Sequence, residues 1–119
     1  MAYEIIETDG EVLCVRILGL MRLADQRALE TVARDLIERG KRPRLLVIAE
    51  DFQGWEKGEG WDDAGFLMDY GNKIVKIAIV GDERWEEQAL LFTGKGLRAT
   101  EIEFFPPSSL QEAELWVRS

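Results

Sequence analysis

Two stretches decide the fold: Leu45-Leu46-Val47-Ile48 and Ile74-Val75-Lys76-Ile77-Ala78-Ile79-Val80. A strand with one solvated face alternates apolar and polar side chains. A continuous apolar run marks a strand covered on both faces, as in the parallel sheets of α/β proteins. Lys76 alone interrupts the second run, and turn formers bound both, with Pro43 before the first and Gly81-Asp82 after the second.

Helical patterns flank these strands. From Asp25 to Arg39, Leu29, Val32, Ala33, Leu36 and Ile37 follow the i, i+3, i+4, i+7, i+8 spacing of one helix face. Asp25 suits the positive N-terminal end of that helix and Gly40 its stop. After the second strand, Asp82 is placed to cap a helix that runs to about Thr93, with Trp85, Ala89 and Phe92 on one face. Residues 99–105 alternate, Ile102 and Phe104 against Glu101 and Glu103, and Pro106-Pro107 ends that strand. Ser109-Leu110-Gln111-Glu112 reads as a capping box for a last helix carrying Leu110, Ala113 and Val117 on one side, with Trp116 adjacent.

Upstream, Tyr3 to Thr8 and Glu11 to Leu18 read as two strands joined at Asp9-Gly10, whose residues tolerate the positive φ of a type I′ turn. Glu50 to Gly60 has no clean period and reads as a loop, and Trp61 to Asn72 as a short helix. The resulting order is ββαβαβαβα: an α/β domain with a mostly parallel five-stranded sheet, an N-terminal antiparallel hairpin and four helices.

The 119 residues fit a single domain spanning 1–119, and a charge of -8 argues against nucleic-acid binding, which needs clustered Lys and Arg. There is no histidine, which removes Ser-His-Asp and Cys-His catalysis and histidine metal sites. The single cysteine, Cys14, allows no intramolecular disulfide and reads as inert packing, so a reducing, cytoplasmic setting is expected. The N-terminus lacks a basic-then-apolar signal pattern, and no apolar run nears the ~20 residues of a membrane helix.

Residues 50–70 carry seven acids and one lysine, a local charge of -6 that accounts for most of the total. They also carry Phe52, Trp55, Trp61, Phe66, Met68 and Tyr70. One reading is a mobile lid whose aromatic side chains close over a pocket. The other is a surface loop pinned by one or two buried tryptophans. Loops over strand C-termini are where sites concentrate. Glu50-Asp51 matches no calcium-loop spacing and reads as a solvated acidic pair rather than a metal site. Thr93-Gly94-Lys95-Gly96 lacks the phosphate-loop frame and follows a helix instead of opening one, so a glycine stop explains it better. Lys76 either lines a pocket or snorkels to the sheet edge, the commoner outcome. Arg39, Lys41, Arg42 and Arg44 form a small basic cluster that suits a helix C-terminus or an anionic headgroup.

Phe52-Gln53-Gly54-Trp55, Trp61-Asp62-Asp63, the run from Lys76 to Trp85 and Ala113-Glu114-Leu115-Trp116 stand in one chain in this order. Together they resemble the SpoIIAA-like family of bacterial proteins, small relatives of the STAS fold. The resemblance covers nearly the whole chain. It implies a binding or regulatory domain, not an enzyme, without cofactor or metal. Comparison of such proteins with the CRAL-TRIO fold implies an apolar, amphipathic or lipid ligand and peripheral contact with the inner membrane. The ligand-binding positions it implies are Phe52, Trp55, Trp61, Phe66 and Trp85. The rival expectation is a protein-interaction module anchored by Trp55, with self-association as a homodimer a further option. STAS anti-sigma-factor antagonists carry a phosphorylatable serine after the third strand; residues 49–60 contain no Ser or Thr, so that switch is not expected here.

Overall fold

The computed structural model describes residues 3–9, 12–57, 73–93 and 99–119. Its elements are β1 (Tyr3–Asp9), β2 (Val12–Met21), α1 (Leu23–Glu38), β3 (Arg44–Trp55), β4 (Lys76–Val80), α2 (Glu86–Thr93), β5 (Glu101–Phe105) and α3 (Leu110–Arg118). One five-stranded sheet runs in the order β1-β2-β3-β4-β5. β1 is antiparallel to β2, and the other neighbours are parallel. The α/β architecture and the antiparallel hairpin are therefore as the sequence predicts. The helix count is not: three α-helices lie among the described residues instead of four, and the expected helix at 61–72 lies outside them.

Alternation along the strands divides the core into two layers. Leu13, Val15 and Ile17 of β2, Ile77 and Ile79 of β4 and Ile102 of β5 face the side covered by α1 and α2. Val12, Leu46, Ala78 and Val80 face α3, whose Ala113 and Val117 are fully buried. β3 and β4 are thus covered on both faces, which is why they read as unbroken apolar runs. Burying a side chain such as Leu13, Leu46 or Val117 stabilises the fold by about 1.5–3 kcal/mol.

Three local expectations are corrected. Asp9 pairs with Val12 and so belongs to β1 instead of an Asp9-Gly10 turn, while residues 10 and 11 lie outside the described residues. β1 also carries a bulge between Ile5 and Glu7, an irregularity that discourages pairing at an exposed sheet edge. The Ser109–Glu112 capping box does not form: Ser109 makes no side-chain cap and ends a 3₁₀ turn over Pro107–Ser109, its N–H donating to Pro106 O at 2.9 Å. Two prolines preset the φ values of that turn, and it delivers the chain into α3 without a side-chain cap. Finally, the strand expected at 74–80 begins at Lys76. Val75 N donates to Pro43 O at 2.9 Å, and Ile74 is buried in the core ahead of the ladder.

The expected Asp82 cap is present, its Oδ1 accepting from Arg84 N at 3.0 Å at the head of a 3₁₀ turn, Glu83–Trp85, that leads into α2. At α1, Arg22 is the N-cap, and Asp25, 2% exposed, accepts both the backbone N–H of Arg22 at 3.1 Å and its Nε at 3.2 Å. A buried carboxylate in the first turn is stabilised by these donors and by the helix dipole.

Candidate functional site

Parallel α/β sheets usually bind ligands in a crevice where the strand order reverses. Here the order never reverses. What distinguishes the C-terminal edge of the sheet is the length of β3. It has twelve residues against five in β4, and it pairs with β4 only from Leu45 to Ile48. Beyond that, β3 continues as a two-stranded ribbon with β2 as far as Met21↔Trp55.

The ribbon is irregular. β2 advances from Leu18 to Leu20 while β3 advances from Glu50 to Gly54, so β3 carries extra residues. Asp51 (φ 47°) and Gly54 (φ 100°) lie in the left-handed region and absorb the excess. Regular alternation after Leu45, Val47 and Ala49 would point Asp51 at the core. The bulge leaves Asp51 exposed and buries Phe52 among Leu13, Val15, Ile17 and Met21. The expected loop at 50–60 is therefore a strand as far as Trp55, and it reads as aperiodic because a bulge resets its parity.

Past the last β3–β4 pair, three aromatic rings pack together on the α1 side of the sheet. Phe52 and Trp55 meet at 4.8 Å between centroids and 84°, Phe52 and Trp85 at 5.1 Å and 76°, and Trp55 and Trp85 at 6.0 Å and 79°. Each pair is edge-to-face, the arrangement favoured by ring quadrupoles. Gly54 makes this close approach possible: a Cβ there would stand 3.1 Å from Trp85 Cη2. Arg84 Cζ lies 5.2 Å from the Trp85 ring centroid. The indole Nε1 of Trp85 is shielded from solvent and has no acceptor within hydrogen-bond distance among the described residues.

Phe52, Trp55 and Trp85 are thus brought together, while Trp61 and Phe66 lie outside the described residues. A lid containing Phe52 and Trp55 is not what the structure shows, because both residues belong to a paired strand and pack into the core. Sequence reading did not identify the role of Gly54; its signal was a lone glycine between aromatic residues on a β-run. It also missed Glu56, whose backbone N donates to Met21 O at 2.8 Å and whose Oε1 accepts from Leu23 N at 3.0 Å.

The remaining candidates have structural roles. Lys76 snorkels, but toward α3: Nζ donates to Trp116 O at 3.1 Å and Ser119 Oγ at 2.7 Å, lies 3.7 Å from Glu101 and sits over the Trp116 ring. Arg44 leaves the expected basic cluster and donates to Val117 O and Ser119 O, both at 2.7 Å, whereas Arg39, Lys41 and Arg42 remain exposed. Glu50 lies 3.6 Å from Arg16 across the β2–β3 ladder. No group of three or more Cys, Asp or Glu among the described residues is placed to hold a metal ion, and no helix among them is long and apolar enough to cross a membrane.

A sheet of this order, with two helices on one face and a C-terminal helix on the other, defines a small α/β domain of the SpoIIAA-like fold. A crystal structure of an uncharacterised DUF3478 protein with that fold, from Shewanella loihica PV-4, superposes with a TM-score of 0.70 at 18% identity, over 98% of this chain and 92% of that one. The SpoIIAA-like family profile matches residues 12–118, and the chain belongs to that family. No curated protein matches the sequence.

Proposed function

We propose that this chain is a non-catalytic regulatory binding domain that holds an apolar or amphipathic small molecule against Phe52, Trp55 and Trp85. The observation that carries this reading is the ring cluster itself. It lies past the last β3–β4 pair, on the α1 side at the carboxyl end of the sheet, where loops and strand ends give ligands a way in. Its edge-to-face contacts give dispersion surface of the kind an acyl chain or aromatic group can join, at about 25 cal/mol per Å² of apolar area buried. The family membership is consistent with a regulatory domain.

The rival reading, a protein-interaction module anchored by Trp55, has less support. Trp55 packs against both clusters on the α1 side of the sheet. A residue so engaged is poorly placed to donate its ring to a partner. Contact with an anionic membrane surface through Arg39, Lys41 and Arg42 is a subsidiary proposal, supported by their exposure at the end of α1.

The binding reading is tested by extracting the purified protein with organic solvent and examining the extract by mass spectrometry, alongside thermal shift with fatty acids and phospholipids. A co-purifying amphiphile or a ligand-dependent rise in Tm is expected. An empty protein whose Tm ignores every added lipid would overturn it.

A further inference from the structure

Buried indole N–H groups almost always have an acceptor, because an unmet donor away from water costs about 1–3 kcal/mol. Trp85 departs from this. Its Nε1 is closed to solvent, so bulk water cannot satisfy it, and no described residue accepts from it. A second observation concerns the same ring. Arg84 is exposed, its guanidinium carbon lies 5.2 Å from the Trp85 centroid, and no carboxylate of the described residues forms an ion pair with it. That holds although Asp82, Glu83, Glu86 and Glu87 surround it in sequence. Among the described residues, a donor without an acceptor and a cation without a carboxylate partner therefore share one indole, beside the apolar rings of Phe52 and Trp55.

We infer that Trp85 and Arg84 form the polar end of the binding site, and that the ligand is a single-chain amphiphile with a carboxylate head. This rests on the binding reading above and specifies its chemistry. One head oxygen accepts from Trp85 Nε1. The charge lies toward Arg84. The apolar chain runs along Phe52 and Trp55. A hydrocarbon of the same bulk gains the ring contacts and leaves the indole N–H unmet. The neighbouring acids repel a carboxylate through solvent, where the interaction is screened, whereas the hydrogen bond forms out of water and is charge-assisted.

The test uses protein labelled with ¹⁵N at the tryptophan indoles, with the Trp85 resonance assigned by its loss in Trp85→Phe. Decanoate is the carboxylate probe and toluene the apolar probe. Decanoate is expected to move the Trp85 indole N–H downfield, and toluene to bind without that shift. Trp85→Phe should weaken decanoate by about tenfold or more, the worth of a hydrogen bond to a charged group, and should weaken toluene less than decanoate because a phenyl ring keeps part of the apolar contact. Arg84→Gln should weaken decanoate by about two- to fivefold, as for an exposed ion pair. If Trp85→Phe folds poorly, the Trp85 resonance is assigned instead by nuclear Overhauser contacts between its ring and Gly54, and the wild-type spectrum still decides the matter. If decanoate binds while the Trp85 resonance stays in place, this inference falls and the binding reading survives. If neither probe binds, both fall.

Discussion

The carboxylate of Glu56 accepts the backbone N–H of Leu23, the first residue of α1, at 3.0 Å. Helix N-termini leave unsatisfied donors. A residue distant in sequence meets one of them here, so the end of the β3 ribbon and the start of α1 are held to each other. The Glu56 N–H to Met21 carbonyl bond, at 2.8 Å, closes the same junction from the other strand.

Glu56→Ala should therefore lower stability by about 0.5–2 kcal/mol, the range for losing a helix cap. Glu56→Gln keeps an acceptor and should lose less. Urea titration followed by far-UV circular dichroism measures both, and an unchanged midpoint for Glu56→Ala would show that the contact carries no stability.

Two glycines with positive φ separate backbone strain from packing. Gly19 (φ 67°) has nothing within 4 Å of where a Cβ would stand, whereas Gly54 (φ 100°) would meet Trp85 at 3.1 and 3.4 Å. Gly19→Ala should cost about 1–2 kcal/mol from the left-handed backbone alone. Gly54→Ala should cost about 1–3 kcal/mol more from displacing the indole. Only the second should alter the near-UV tryptophan signal. Equal losses and equal spectra would contradict the Gly54–Trp85 contact.

The C-terminus of α3 is tied to the sheet by cations. The Lys76 side chain is only 13% exposed, and its Nζ reaches two backbone carbonyls, those of Trp116 and Ser119, as well as Ser119 Oγ. Lys76→Met keeps the aliphatic stem and removes the donors. It should cost about 1–2 kcal/mol and speed amide hydrogen exchange in α3 more than in α1. Uniform exchange in both helices would show that the tie is dispensable.

Trp55 discriminates between a packed residue and a partner anchor. As a member of two apolar clusters, Trp55→Ala should destabilise the fold by about 3 kcal/mol. A purely interfacial tryptophan would cost little stability and much affinity. Thermal or urea unfolding of this variant decides which, and a loss below about 0.5 kcal/mol, the level of an ordinary surface change, would favour the anchor.

The architecture was legible because its signals are local and periodic. The apolar runs at 45–48 and 76–80, the helix spacing from Leu29 to Ile37 and the alternation at Ile102 and Phe104 each report on one strand or helix face. Asp82 was legible as a cap because its partner, Arg84 N, is two residues away. Ser109 misled because prolines just before it offered a 3₁₀ turn that needs no side-chain cap. The stretch after Ile48 looked like a loop because the bulge at Asp51 and Gly54 erased its period, although its backbone remains paired with β2.

For this protein, then, the amino-acid sequence by itself determined the α/β class, the antiparallel hairpin, the family and the grouping of aromatic residues after the third strand. Those properties follow from spacing along the chain and from residue type. Only the tertiary structure decided that Phe52 and Trp55 are strand residues, that Trp85 meets them over Gly54, that Glu56 caps α1 and that Lys76 and Arg44 hold α3. These contacts join residues distant in sequence. They depend on where β4 stops and how far β3 continues past it, and spacing within any single segment carries no record of either.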